Sequence, residues 1–526
     1  MPDNGSQSRV LVVGAGPSGL VLGSELLRQG IQDVWVISKL KRESPHSRAV
    51  VLWPRILELL DRIGAAESMV QHGHYVNQMN YYSNRKRIGI IKFTGLRGVA
   101  YPFGITIPQW RTEQLLEENF NRLGGKVHYD LEFVSGKETE SGFEVELRGS
   151  EAASLPSTFD WVVGADGYGS AVREAIGVGF EGFVMPKQLA ITDAEVLGET
   201  TTCEAAYFLT KSGSMAISPL GDGVFRVAAS VPDWFDEEKD SPDREFFERL
   251  LSERVPGHRR LGAMRFAGVF HASVRGADVY RKGRAFLIGD AAHAMSPSGA
   301  QAMNVGIQDA VNLGWKLAGV IRGRFSPDIL DSYDQERRSS VEEVTRTTMK
   351  MAKVSLYSKP AEIFARDTVY RALTATGLLT KHFAPKLTQL DTHYGPKPDK
   401  RAWTEGERLP LGWRQTQVEP TLSIDKFTVL LWPGEAYHFA TWKKLVDDLA
   451  PRLSEAQAHV VDLAGRPLGE LESKLGKQPV ALVARPDGHV HAVLPLQYDG
   501  RPGADSEAVA RALPIPQEPL VIAGSR

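Results

Sequence analysis

The sequence predicts an α/β protein of two or three domains: a parallel sheet covered by helices, an inserted antiparallel sheet, and a smaller unit of strands and helix at the C-terminal end. Three observations predict it. A strand, a glycine-rich turn and an amphipathic helix open the chain at Val10–Gln29. Between Val178 and about Arg275 the pattern changes to short alternating strands. Beyond a stretch rich in Pro, Gly and charge at 390–415, apolar runs again alternate with a helix. A chain of 526 residues is too long for one hydrophobic core.

In the first unit, Val10-Leu11-Val12-Val13 is a β-branched apolar run that leads into Gly14-Ala15-Gly16-Pro17-Ser18-Gly19 and then a helix with Leu20, Leu22, Leu26 and Leu27 at helical spacing. In such a turn Gly14 allows the sharp reversal, Gly16 lets backbone N–H groups approach a pyrophosphate, and Gly19 lets helix and strand pack closely. Pro17 and Ser18 open the helix, whose positive end holds the anion. Gly30 sits at the expected helix end, and Val34-Trp35-Val36-Ile37 is the next strand. One expected feature is absent. Where a carboxylate normally takes the ribose hydroxyls, the chain has Ser38-Lys39. A neutral acceptor is weaker by roughly a factor of two, so adenosine binding is expected to be looser than usual.

A second strand, Trp161-Val162-Val163-Gly164, ends at Ala165-Asp166-Gly167, followed by Ser170 and Arg173. A third, Ala285-Phe286-Leu287-Ile288, ends at Gly289-Asp290-Ala291-Ala292-His293. After Pro297 and Gly299 a long helix is predicted from about Ala300 to Ile321, with Met303, Ile307, Ala310, Leu317 and Ile321 on its apolar face. Between these last two strands, 205–210, 214–217 and 224–231 are predicted strands, with Gly221-Asp222-Gly223 as a turn. A helical region is predicted from about Glu342 to Leu379. In the tail, 427–432, 459–463 and 480–484 are predicted strands, with a helix near Thr441–Leu453.

At this point the chain resembles the class A flavoprotein monooxygenases, in the aromatic-hydroxylase branch related to para-hydroxybenzoate and phenol hydroxylases. The resemblance covers residues 8 to 350 and rests on VVGAGPSGL, SRAVVLWPRILELLDRIG, IPQWRTEQLL, VVGADGYGSAVR and GRAFLIGDAAHAMSPSGAQAMNVGIQDAVNLGWKLA. It implies a glutathione-reductase-like FAD-binding Rossmann domain at 1–80, 101–178 and 276–385. It further implies a substrate-binding β-sheet domain at 81–100 and 179–275, and a thioredoxin-like C-terminal domain at 386–526. By position it places Gly14 to Gly19, Ser38 and Lys39 at the adenosine diphosphate, Arg48 near the flavin, and Gln109 at the ribityl or pyrophosphate region. It also places Asp166 near the pyrophosphate and the nicotinamide donor, and Asp290 on the ribityl chain. Val134, Gly299, Ala302, Met303 and Asn304 complete the implied cofactor contacts. The implied reaction takes electrons from NADPH or NADH, forms a C4a-hydroperoxide on reduced FAD with dioxygen, and oxygenates an aromatic or polyketide-like substrate in a buried, dry site. Tyr207, Met215, Phe225 and Pro297 are the candidate substrate-lining residues. Core packing is the competing reading for the first three, as it is for Tyr81, Tyr82 and Trp110. No catalytic base is assigned; His293 reads as a loop hydrogen-bonder and His271 as a sheet residue.

The family usually carries Gly-Gly-Gln-Gly-Met-Asn where this chain has Gly299-Ala300-Gln301-Ala302-Met303-Asn304. Alanine costs about 1–2 kcal/mol in a left-handed conformation and nothing in a helix. Ala302 is expected to be helical; Ala300 is open between the two. The tail lacks Cys-x-x-Cys, so disulfide exchange is excluded and a structural, dimer-forming or lid-anchoring role is left.

A net charge of −2 with 24% charged residues makes no electrostatic case for nucleic acid or a membrane surface. The polar start MPDNGSQSR and the lack of a long apolar run predict a cytoplasmic protein, as a monomer or homodimer. The single cysteine, Cys203, rules out internal disulfides and reads as a small hydrophobe. Three other functions remain on the same scaffold: a flavin halogenase, whose Gly-Trp-x-Trp-x-Ile-Pro signature is absent; an oxidoreductase that inserts no oxygen; and a non-catalytic binding protein.

Overall fold

The computed structural model describes residues 8–40, 49–198, 204–236, 240–410, 422–435, 437–455, 457–466, 468, 471–497 and 504–514. Arg48, Cys203 and 411–421 lie outside the described residues. The buried apolar strand Val10–Val13 sits inside a six-stranded sheet. Its order is Arg281–Lys282, Ala285–Leu287, Trp161–Gly164, Val10–Val13, Val34–Ser38 and Val127–Tyr129, parallel throughout except for the first pair. Strands following Val10–Val13 are added on both of its sides, so the sheet has a switch point there, where a ligand crevice is expected at the carboxyl ends.

The helix Pro17–Arg28 packs against the helix Ala302–Ile321 through small residues. A Cβ on Gly306 would stand 2.4 Å from Ser18 Oγ, and one on Gly314 would stand 2.6 Å from Glu25 Cγ. The second helix starts two residues later than expected and is buried on every side from Asn304 to Gly319, not only along one apolar stripe. Packing on both ends explains this: Ser18 and Glu25 press on one side, while Trp315 joins an apolar cluster with Phe427, Val429 and Leu431 of the tail.

The expected strands between 178 and 275 form a seven-stranded sheet. Its order is Arg260–Phe270, Leu189–Leu197, Val224–Ser230, Gly213–Gly221, Glu204–Thr210, Gln78–Ser83 and Lys86–Lys92. One pair, Glu204–Thr210 with Gln78–Ser83, is parallel and the others are antiparallel. The helix Arg244–Arg254, capped by Asp243, which accepts from the Phe246 N–H at 2.9 Å, covers one face with Phe247, Leu250 and Leu251. The helical region beyond 330 divides into Asp331–Ser355, Pro360–Ala375 and Leu378–Leu387, interrupted by Pro360 and the left-handed Gly377.

In the tail, strands His459–Asp462, Thr428–Trp432, Val480–Ala484 and Val490–Pro495 lie in that order, the first pair parallel and the others antiparallel. The helix Phe439–Glu455 lies between the first two strands in sequence, with Trp442, Leu449 and Leu453 buried. Among the described residues, no helix is long and apolar enough to cross a membrane.

Candidate flavin site

The three glycine- and aspartate-bearing segments are carboxyl-end extensions of three neighbouring parallel strands. The ladder continues into them: Gly14 N–H donates to Ile37 O (2.8 Å), Ala165 N–H to Val13 O (2.8 Å) and Ile288 N–H to Gly164 O (2.9 Å). Gly14 has φ +114°, and a Cβ there would lie 2.2 Å from Ala165 O, so the close crossing of the two chains requires glycine. A Cβ on Gly16, Gly167 or Gly169 would instead meet nothing within 4 Å. These backbones therefore face an open crevice. Gly16 caps the helix Pro17–Arg28 without any side-chain hydrogen bond, which leaves the first-turn N–H groups for an anion. Crevice, glycine edges and uncapped helix together fit the pyrophosphate of a dinucleotide.

Ser18 lies between Gly289 and Gly306 and so joins the first segment to the third. At the adenosine end, Ser38 Oγ accepts the Leu40 N–H at 3.3 Å, and Lys39 is exposed. Val134 is exposed on the strand Leu131–Thr139. Gln109 starts the helix Gln109–Arg122, accepts from the Ala49 N–H (3.1 Å) and donates to Glu113 (2.8 Å). Asp290 is exposed in the one-turn helix Gly289–Ala291. Asp166 is turned into the protein: it accepts from Ser170 Oγ (2.6 Å) and from the N–H groups of Ala171 (2.7 Å) and Val172 (3.2 Å). Burial raises its pKa against those hydrogen bonds. Its side chain therefore ties down the turn whose glycines edge the crevice.

The loop Pro297–Gln301 leads into the long helix. Gly299 and Ala300 are both left-handed, with φ +79° and +54°, whereas Ala302 is the first helical residue. This matches the expectation for Ala302 and assigns the strained conformation to Ala300. Asn304, expected as a cofactor contact, lies in the first turn of that helix. Its fully buried side chain accepts from the Trp53 N–H (2.9 Å) and donates to Val51 O and Ala300 O (both 2.8 Å). With both amide ends engaged by backbone, it braces the loop. Trp53 adds a second brace through Nε1–H to Gly299 O at 3.1 Å. Met303 is partly buried against the main core.

A buried charge network missed by motif reading supports the Gly289-Asp290 turn. Asp309 accepts from the Gly289 N–H (3.0 Å), from His293 Nε2 (2.6 Å) and from Arg337 Nε (2.7 Å). Burial alone would raise its pKa, but His293 and Arg337 outweigh that and lower it. Arg337 also donates to Tyr394 Oη at 2.8 Å. One residue earlier on the same helix, Glu336 accepts from both terminal nitrogens of Arg485 in the tail (2.8 and 2.9 Å) and from Lys316 (2.9 Å). Burial opposes ionisation of Glu336, yet Arg485 and Lys316 hold its pKa at about 2. The sequence clue was Asp309 and Lys316 inside a largely apolar helix.

Alternation along the strands of the seven-stranded sheet separates its two faces. Met215 and Phe225 pack with Phe208 in the core beneath the helix Arg244–Arg254. They therefore line no substrate surface, which corrects the expectation for both. Tyr207 points to the other face, beside Tyr81 (ring centroids 6.0 Å apart), and hydrogen-bonds with Ser298 of the flavin-side loop. The registers put Ala216, Ser218, Ala228 and Gly268 on this same face. All four are partly exposed. Pro297 is exposed on the same loop as Ser298. Tyr82 stacks on Phe208, Trp110 is exposed, and His271, expected as a sheet residue, lies just past the strand Arg260–Phe270, where it meets Gln188 at 2.8 Å. A cleft lined by Tyr81, Gln301, Met351, Phe383 and Leu387 adjoins the loop.

The chain matches the FAD binding domain family over residues 7–348 and belongs to it. It is 33% identical over 406 residues, 76% of this chain and 79% of the relative, to an uncharacterized aromatic compound monooxygenase of Bacillus subtilis. It is 31% identical to pentachlorophenol 4-monooxygenase of Sphingobium chlorophenolicum over 67% of this chain and 66% of that protein. The anhydrotetracycline hydroxylase OxyS from Streptomyces rimosus shares its fold with a TM-score of 0.73 and 25% identity, covering 97% of this chain and 100% of that one. The resemblance to flavoprotein aromatic monooxygenases read from five motifs is therefore correct.

Proposed function

We propose that the protein is an FAD-dependent monooxygenase that takes electrons from NADPH or NADH and hydroxylates a bulky, flat aromatic or polyketide-like molecule with dioxygen. The observation that carries this reading is the meeting of three distant loops at adjacent strand ends, with Tyr207 of the second sheet hydrogen-bonded to Ser298 of the loop beside them. Bound there, FAD supplies the reductive activation of dioxygen that delivers one oxygen atom to an electron-rich ring. The uncapped N–H groups after Gly16 hold the pyrophosphate, Asp290 binds the ribityl hydroxyls, and the Gly299–Met303 backbone borders the ring. Arg48 is assigned to the flavin side and Val134 to the cofactor by family resemblance. Ser298 and Tyr207 border the substrate. Burial raises the Tyr207 phenol's pKa against its hydrogen bond with Ser298, so at neutral pH it is protonated. Ala216, Ala228 and Gly268 leave room for a wide planar ring system, a reading supported by the polyketide substrates named for several relatives.

The FAD-binding part is assigned to 101–178, 276–385 and a first segment that ends at 77 rather than the expected 80, because the strand Gln78–Ser83 belongs to the seven-stranded sheet; the substrate sheet is then 78–100 and 179–275, and the tail 386–526. The tail's strand order, with the second strand beside the first and the third and fourth on its other side, supports a thioredoxin-like fold. Accurate-mass analysis of products made from polycyclic phenols under labelled dioxygen tests the function. One labelled oxygen per product, with substrate-stimulated NADPH oxidation, is expected. Label entering only from water, or a colourless protein that takes up no FAD, refutes it.

A further inference from the structure

Three buried glutamines form an unbroken hydrogen-bonded line ending at the flavin-side loop. Gln301, Gln308 and Gln389 are 3%, 3% and 1% exposed. Gln308 Nε2 donates to Gln389 Oε1, and Gln389 Nε2 donates to Gln301 Oε1. Gln301 Nε2 then donates to Gly299 O at 2.8 Å and to Leu387 O at 2.9 Å. The direction of this line is imposed from its end. Two backbone carbonyls only accept, so the Gln301 amide presents its NH2 to them and its oxygen to Gln389. Gln389 then has to give its own NH2 to Gln301, leaving its oxygen for Gln308. Reversing any one amide sets oxygen against oxygen or nitrogen against nitrogen along the rest.

The backbone is also unusual at the middle glutamine and beside the loop end. Gln389 has φ +57° and Ala300 has φ +54°, two non-glycine residues in the left-handed region. Such conformations persist where surrounding contacts over-determine them. Gln389 is held through both of its side-chain ends, and the turn Gly299–Ala300 is held by Gln301, Asn304 and Trp53. Five residues beyond Gln389 in the same connecting segment, Tyr394 accepts from Arg337, which pairs with Asp309 behind the Gly289-Asp290 turn.

We propose that Gln389 is a positioning residue for the flavin: through Gln301 it holds the Gly299–Ala300 turn in the one geometry that borders the ring. The inference rests on reading Gly299–Met303 as the flavin-ring loop, but the line of amides belongs to the protein and is measurable without FAD.

The test uses the full-length chain with Gln389→Met, Gln301→Met, the double variant and Gln389→Gly. FAD dissociation constants are measured by fluorescence, and amide hydrogen exchange of 299–301 is measured on the FAD-free protein. Each Met single variant is expected to bind FAD about tenfold more weakly, the range for leaving a buried polar partner unsatisfied. The double variant is expected to be no weaker than the worse single, because a broken line is broken once. Gln389→Gly separates the line from backbone strain: it relieves the left-handed residue yet is expected to weaken FAD binding and speed exchange at 299–301. Unchanged FAD affinity in the Met variants, or losses that simply add, overturns the proposal. If the wild type binds no FAD, the flavin reading fails, and exchange decides the rest. Faster exchange at 299–301 in the Met variants then supports the relay's hold on the turn, and unchanged exchange overturns it.

Discussion

Ala300 and Ala302 stand two residues apart, and glycine at each is expected to change stability in opposite directions. At Ala300 the backbone has φ +54°, where an L-residue with a Cβ is disfavoured by about 1–2 kcal/mol. Glycine removes that strain but adds unfolded-chain entropy of roughly 0.5–1 kcal/mol. It also loses part of a methyl's contact with the cluster containing Tyr207 and Met351. The net effect of Ala300→Gly is a gain on the order of 0.5 kcal/mol. Ala302 is already the first residue of the helix Ala302–Ile321, so Ala302→Gly relieves nothing and costs roughly 0.5–1 kcal/mol. In thermal scans of the two FAD-free variants run side by side, the Ala300 variant is expected to melt above the Ala302 variant by roughly 2 °C. If the order is reversed, or the two variants fall equally, the assignment of a strained turn before a regular helix is wrong.

Three further outcomes follow from the buried groups and the sheet faces. Asp309→Leu leaves Arg337 charged and unpaired in the interior and removes the acceptor of the Gly289 N–H; chemical denaturation is expected to show a loss of about 3–5 kcal/mol, with weakened FAD binding in titration. Glu336 has a folded pKa of about 2 against 4.5 ordinarily, so its contribution of about 3 kcal/mol is complete above pH ~4.5 and lost as pH falls through about 2. Denaturant midpoints compared between wild type and Glu336→Gln are expected to fall less steeply with acid in the variant; parallel curves refute this. Met215→Ala is expected to lower stability by about 2–5 kcal/mol without altering the KM for a bulky substrate, whereas Ala228→Phe is expected to raise that KM with little change in the melting temperature. An unchanged KM in Ala228→Phe would show that the substrate does not lie on that face.

The legible parts of this protein were those written in consecutive residues. Val10–Gly19 specifies a strand, a turn that only glycine can make and the helix that follows, since those constraints act within ten residues. Alternation around 205–230 announced the strands of the second sheet, but period-two patterning marks two faces without saying which one meets the cofactor. Tyr207 and Met215 therefore read alike, and the register placed them on opposite sides. Asn304 was legible as part of a motif, whereas its role as a brace depends on Val51 and Trp53, some 250 residues earlier in the chain.

By itself, the sequence determined the three glycine-bearing turns, a long helix after Gly299 and membership of an FAD-binding family, because each is carried by local backbone chemistry. The tertiary structure alone decided that Ala300 is left-handed and that Asp309 and Arg337 lie behind the Gly289-Asp290 turn. It alone decided, too, that a line of glutamines ends at Gly299. Buried polar groups must find partners wherever the fold brings them, and those partners lie tens to hundreds of residues away.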